Sequence, residues 1–172
     1  MTKQVVDVLR KYRSDATERP RIHEEFDSVA KEVSRGELAA GIVTSLKSAS
    51  TPPFADIVLD LYTHATPEQR AGILNRLLPA LNEKEGTVAL QHEPKHVQEL
   101  LVGKQTVSAA DAERIGAASV RKLAAAADTL DPSVVEKIAE MAADHPALLK
   151  TLGTGILAQT LTAIAATHSQ LP

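Results

Sequence analysis

The sequence predicts an all-α protein, a multi-helix bundle or orthogonal array of about nine short Pro-capped helices, and three observations predict it. Of the 172 residues 27 are alanine, 17 of them between Ala109 and Ala166. Alanine has the highest helix propensity and lets helix axes approach closely. Pro20, Pro52, Pro67, Pro94, Pro132 and Pro146 stand where a helix would begin, positions at which a missing N–H costs nothing and the fixed φ is already helical. Apolar residues recur at spacings of three and four, whereas sustained period-two alternation is absent and neither Asn-Gly nor Asp-Gly occurs.

In chain order, the first stripe is Val5, Val8, Leu9 and Tyr12, and the second is Ile22, Phe26, Val29, Ala30 and Val33. The third, Leu38, Ile42, Val43 and Leu46, follows Ser34-Arg35-Gly36-Glu37, which has capping-box spacing. Phe54, Ile57, Val58 and Leu61 form the fourth behind Thr51-Pro52. The fifth, Leu74, Leu77, Leu78 and Leu81, follows a second capping-box string, Thr66-Pro67-Glu68-Gln69. Shorter stripes come next: Val97, Leu100 and Leu101, closed by Gly103; then Val120, Leu123 and Ala127; then Val134, Val135, Ile138 and Met141 behind Asp131-Pro132. A last helix is expected from Pro146 to about Ala166. The long stretch without a clear stripe, Pro79 to Glu93, suggests an N-terminal helical subdomain over 1–82, a charged connector over 83–93 and a C-terminal helical subdomain over 94–172 that could share one core.

A chain of this length can bury a sizeable core. Having no cysteine, it has no disulfide, thiol nucleophile or Cys-type zinc site. With 19 basic and 22 acidic residues there is no basic stripe for nucleic acid. The densest basic stretch, Arg10, Lys11, Arg13, Arg19 and Arg21, is diluted by Asp15 and Glu18 and has only Tyr12 nearby for stacking. The first residues lack an apolar run of signal-peptide length, so a cytoplasmic protein is expected.

The C-terminal stretch stands out: from Pro146 to Pro172 the only full charge is Lys150. Water cannot surround most of such a helix, so protein must cover it. That cover is either the rest of the chain or a second copy, with Leu149, Leu152, Gly153, Ile156, Leu157, Leu161 and Ile164 as the candidate contact residues. A membrane span is disfavoured, because the uncharged run from Leu152 to Thr167 is shorter than the roughly 20 residues a bilayer requires and carries Gln159 and four threonines.

Few strings look chemical. His92-Glu93-Pro94-Lys95-His96 has the letters of a zinc-peptidase H-E-x-x-H, but that chemistry needs both imidazoles on one face of a continuous helix, and Pro94 starts a helix better than it sits inside one. Asp56, Asp60 and His64, at i, i+4 and i+8, share a helical face opposite Phe54, Ile57 and Leu61 and read as solvated. Gly103-Lys104-Gln105-Thr106 fails the phosphate-loop pattern at two positions. No metal or organic cofactor is implied.

Ser108-Ala109-Ala110-Asp111-Ala112-Glu113, through Val120 and Leu123-Ala124, to Pro146-Ala147-Leu148-Leu149-Lys150-Thr151-Leu152-Gly153 resembles the YidB-like small helical bacterial proteins. The resemblance implies an all-α fold and a bacterial source; it supplies no site residue, and the glycine-rich leader of that group is missing here. The sequence as a whole points to a non-catalytic helical interaction or self-assembly module, homo-oligomeric through its C-terminal helix or bound to another protein. A carrier of a small apolar ligand or lipid between helices is the alternative, since an aliphatic interior holds few aromatics to fill it. A metal-dependent hydrolase at His92, Glu93 and His96 is the third reading.

Overall fold

A computed structural model describes residues 1–14 and 20–169; Asp15, Glu18 and Arg19 of the basic stretch, and Pro172 at the end of the weakly charged stretch, lie outside them. The described residues form an all-α multi-helix fold of twelve helices, nine of them seven residues or longer. They are α1 (Lys3–Arg13), α2 (Ile22–Glu32), α3 (Arg35–Leu46), α4 (Phe54–His64), α5 (Pro67–Leu81), α6 (Gly86–Gln91), α7 (Lys95–Leu101), α8 (Ala109–Glu113), α9 (Ala117–Leu130), α10 (Val134–Asp144), α11 (Pro146–Leu149) and α12 (Thr154–Thr167).

The helix starts follow from local chemistry. Ser34 Oγ accepts from Glu37 N–H while the Glu37 carboxylate accepts from Ser34 N–H, and Thr66 and Gln69 close the same reciprocal box with Pro67 in the first turn of α5. Pro94 caps α7 and Pro146 opens α11. Two expected caps work differently. Thr51 donates its hydroxyl back to the Ser45 and Ser48 carbonyls, closing the end of α3, and Asp131 accepts the Ser133 N–H and hydroxyl ahead of α10. Gly103, at φ +70°, ends the α7 segment in the left-handed conformation expected of it.

Three sequence expectations are revised. The last helix is not continuous. It breaks after Leu149, the chain turns through Lys150 to Gly153, and α12 starts afresh at Thr154, with Thr151 Oγ1 donating to the Leu148 carbonyl across the turn. The 83–93 stretch is no bare connector, because it holds α6, whose Leu90 is fully buried. Pro79 lies inside α5 rather than at a boundary. There it removes the backbone bond to the Asn75 carbonyl and crowds that carbonyl with its ring, and the helix ends two residues later at Leu81.

The residues of 1–82 and 94–172 contribute to one hydrophobic cluster. Its topology interleaves the two stretches: α3 packs on α10 and α12, α4 on α9, α5 on α8, α9 and α10, while α1 and α2 close over α12. α3 and α12 approach each other closely. Gly41 and Ser45, one turn apart, present so little bulk that Ser45 Oγ reaches the Ile156 carbonyl at 3.1 Å. Surface ion pairs join the two stretches elsewhere, Arg35 with Asp144, Lys47 with Glu136, Asp56 with Arg121 and Asp27 with Lys150. Each contributes little alone. No helix among the described residues is long and apolar enough to cross a membrane.

Candidate functional site

The seven residues expected at a contact surface are placed mostly in the interior. Leu149, Leu157 and Leu161 are fully buried, Ile164 is 1% exposed, Leu152 3% and Ile156 5%; Gly153 alone lies at the surface. The cover that one charge in the stretch demands is supplied for α12 by α1, α2 and α3 of the same chain. Within this fold those six side chains present no face to a second copy.

The zinc-peptidase string is split. α6 ends at Gln91, His92 caps it, Glu93 precedes the cap of α7, and His96 is in the first turn of α7. The two imidazoles therefore stand on different elements, and both are exposed. Glu93 is buried instead, its backbone carbonyl held by Gln98 Nε2 at 2.8 Å and its Oε2 without a hydrogen-bond partner. Among the described residues no group of three or more His, Asp or Glu is placed to hold a metal ion.

Asp56, Asp60 and His64 are engaged separately. Asp56 pairs with Arg121, and His64 Nδ1 lies 2.9 Å from the Asp60 carbonyl of its own helix. Tyr62, two residues earlier, is buried. Its hydroxyl donates to the Ala112 and Ile115 carbonyls at the end of α8, and burial pushes its ionisation up from the ordinary phenol value. Arg70 lies over the Tyr62 ring and donates to the Tyr62 carbonyl, which makes the cluster a clamp between α4, α5 and α8. Asn75 does similar work one turn along α5, accepting from Val107 N–H at 2.6 Å and donating to Val107 O at 3.2 Å.

What sequence reasoning missed is a groove on the outside, between α6 and α9. Glu85, Val88, Ala89 and His92 recur at helical spacing on the side of α6 opposite Leu90, and they face Ala125, Ala126, Thr129 and Leu130 of α9 across an open hollow of about 440 Å³. Val88 is 53% exposed and Leu130 38%, two of the four large apolar side chains that stand exposed among the described residues. The alanines keep the floor low enough for a third helix to approach. A second hollow of about 430 Å³ opens at one end of the groove and shares Glu85 and Leu130 with it; Pro79, Ala80, Glu83, Asp131 and Pro132 complete its wall.

The missed signal was faint. Val88 belongs to a charged stretch with no stripe of its own, and Ala125 and Ala126 carry no signal that distinguishes a groove floor from any other alanine-rich helix face. No family model, characterised protein or solved structure matches the chain.

Proposed function

We propose that the protein is a non-catalytic helical interaction module, and that its docking face is the α6/α9 groove rather than the C-terminal helix. The observation that carries the reading is the pairing of Val88 and Leu130, two exposed apolar side chains lining one alanine-floored groove. Single exposed apolar residues are ordinary on a protein surface; a contiguous apolar groove with a polar rim is the surface that helix-in-groove recognition uses. A groove flanked by two helices takes a third helix by the ridge-and-groove packing that builds the fold itself. So small a face suits a transient partner more than a permanent one.

A selection tests it. Helical peptides of about 12 residues, about 18 Å long, displayed as a randomised library, are panned on the folded protein and re-tested on Val88→Glu and Leu130→Glu. Both positions are surface positions, so circular dichroism of the variants should match the parent. The reading expects binders that lose affinity on both variants. Binders indifferent to both would refute it. Light scattering on the same samples covers self-assembly: a mass near twice 18.3 kDa, reduced by Val88→Glu, would assign the groove to a second copy.

A further inference from the structure

The groove is not electrically uniform, and this gives its occupant a chemistry. Glu83, Glu85 and Asp131 line the hollow at the Leu130 end, and among the described residues no cation lines it with them. Asp131 is held by Lys137 at 3.1 Å and by Ser133, whereas Glu83 and Glu85 make no ion pair among the described residues. Lys84, between them in the chain, does not line the hollow. The remaining wall is apolar: Pro79, Ala80, Leu130 and Pro132. Carboxylates at a mouth above an apolar wall suit a long cationic side chain, whose methylene stem lies on the prolines and leucine while its head meets the acids.

Resting on the docking reading above, we infer that the groove's partner is an amphipathic helix of another protein that carries lysine or arginine within a turn of one end of its apolar stripe, and that this end seats in the Glu83/Glu85 hollow. The apolar stripe lies between α6 and α9, and the cation fixes the register and the direction of the helix. Charge here sets orientation and encounter rate more than total affinity.

The same peptide selection, analysed by sequence, tests this. Binders that depend on Val88 and Leu130 are expected to carry Lys or Arg within a turn of one end of their apolar stripe, the same end throughout the set. Their affinity for a Glu83→Gln/Glu85→Gln variant should fall about fivefold at low salt, the range for two exposed charge contacts, and this difference should vanish as ionic strength rises. Groove-dependent binders with no cation enrichment, or with unchanged affinity for the double variant, overturn the inference and leave the docking reading standing. Binders that ignore Val88→Glu and Leu130→Glu, or a selection that returns none, overturn both.

Discussion

Gly41 is the position at which packing and propensity disagree most cleanly. Replacing a glycine by alanine in mid-helix ordinarily stabilises by up to about 1 kcal/mol. In this fold a Cβ on Gly41 would meet Ile164 Cγ1 at 2.7 Å and the Thr160 carbonyl oxygen at 3.1 Å. The first distance is one that atoms do not tolerate, and the second involves backbone, so α12 must move outward or Ile164 must leave its rotamer. Movement of α12 also stretches the Ser45 to Ile156 hydrogen bond. Overpacking of this kind costs about 1–3 kcal/mol, which exceeds the propensity gain. Gly41→Ala is therefore expected to destabilise by about 1–2 kcal/mol, or about 3–6 °C in Tm for a chain of this size. Gly41→Val should cost about 3 kcal/mol or more. Urea unfolding of Gly41→Ala, Ile164→Ala and the double variant reads the mechanism directly. Ile164→Ala alone should cost about 2–4 kcal/mol, and in the Gly41→Ala background at least about 1 kcal/mol less, since it removes the atom the new Cβ strikes. A Gly41→Ala protein as stable as the parent, or an additive cycle, would refute the close approach of α3 and α12.

Gly86→Ala should be costlier than Gly41→Ala, by about 3 kcal/mol or more in the same assay. Its Cβ would fall 2.6 Å from Leu81 Cα and closer still to the Ala80 carbonyl oxygen, backbone atoms that cannot swing aside. Tyr62→Phe removes the buried hydroxyl that the Ala112 and Ile115 carbonyls share, Ala112 O keeping the Ile115 N–H, and should lower stability by about 1–2 kcal/mol. Because the Tyr62 pKa is raised in the folded state, its contribution is present below about pH 10 and is lost above it, so the variant should also show a flatter alkaline limb in a pH series of melts. In acid the sign is opposite. Hydrogen bonds from Ser34 first, and the nearby His168 imidazole second, hold Glu37 below the ordinary carboxylate range, and Lys47 and Arg35 do the same for Glu136 and Asp144. Stability from these groups is present above about pH 4 and is lost as pH falls through their lowered values, so Glu37→Gln should flatten the acid limb below about pH 4.

The fold was legible where a local interaction decides it. Ser34–Glu37 and Thr66–Gln69 specify their helix starts within four residues, and the stripes beginning at Val5, Ile22 and Phe54 fix which side turns inward. Legibility ended where tertiary context decides. Between α11 and α12 the local signal is Gly153, the N-cap of α12, with Gly155 behind it, and glycine there serves a break or a close approach equally, so the sequence alone does not decide between them. α6 is six residues long and carries a single fully buried side chain, Leu90, too little for a periodic signal. The weakly charged C-terminal stretch required cover, and the sequence had no means of saying which surface supplies it; α1, α2 and α3 supply it for α12 from within the chain. The groove was illegible for the complementary reason. It is made by two helices far apart in sequence, and its floor is alanine, a residue common on both buried and exposed helix faces.

Amide chemical-shift mapping of the labelled protein with a selected peptide is the measurement that bears most directly on the docking face. Shifts confined to Val88, Ala89, Ala125, Ala126, Leu130 and their neighbours, saturating with peptide and absent in Val88→Glu, are the predicted result. Shifts centred on Ile156, Leu157 and Leu161 instead, with the α6 and α9 amides unmoved, would contradict it and return the contact surface to the C-terminal helix.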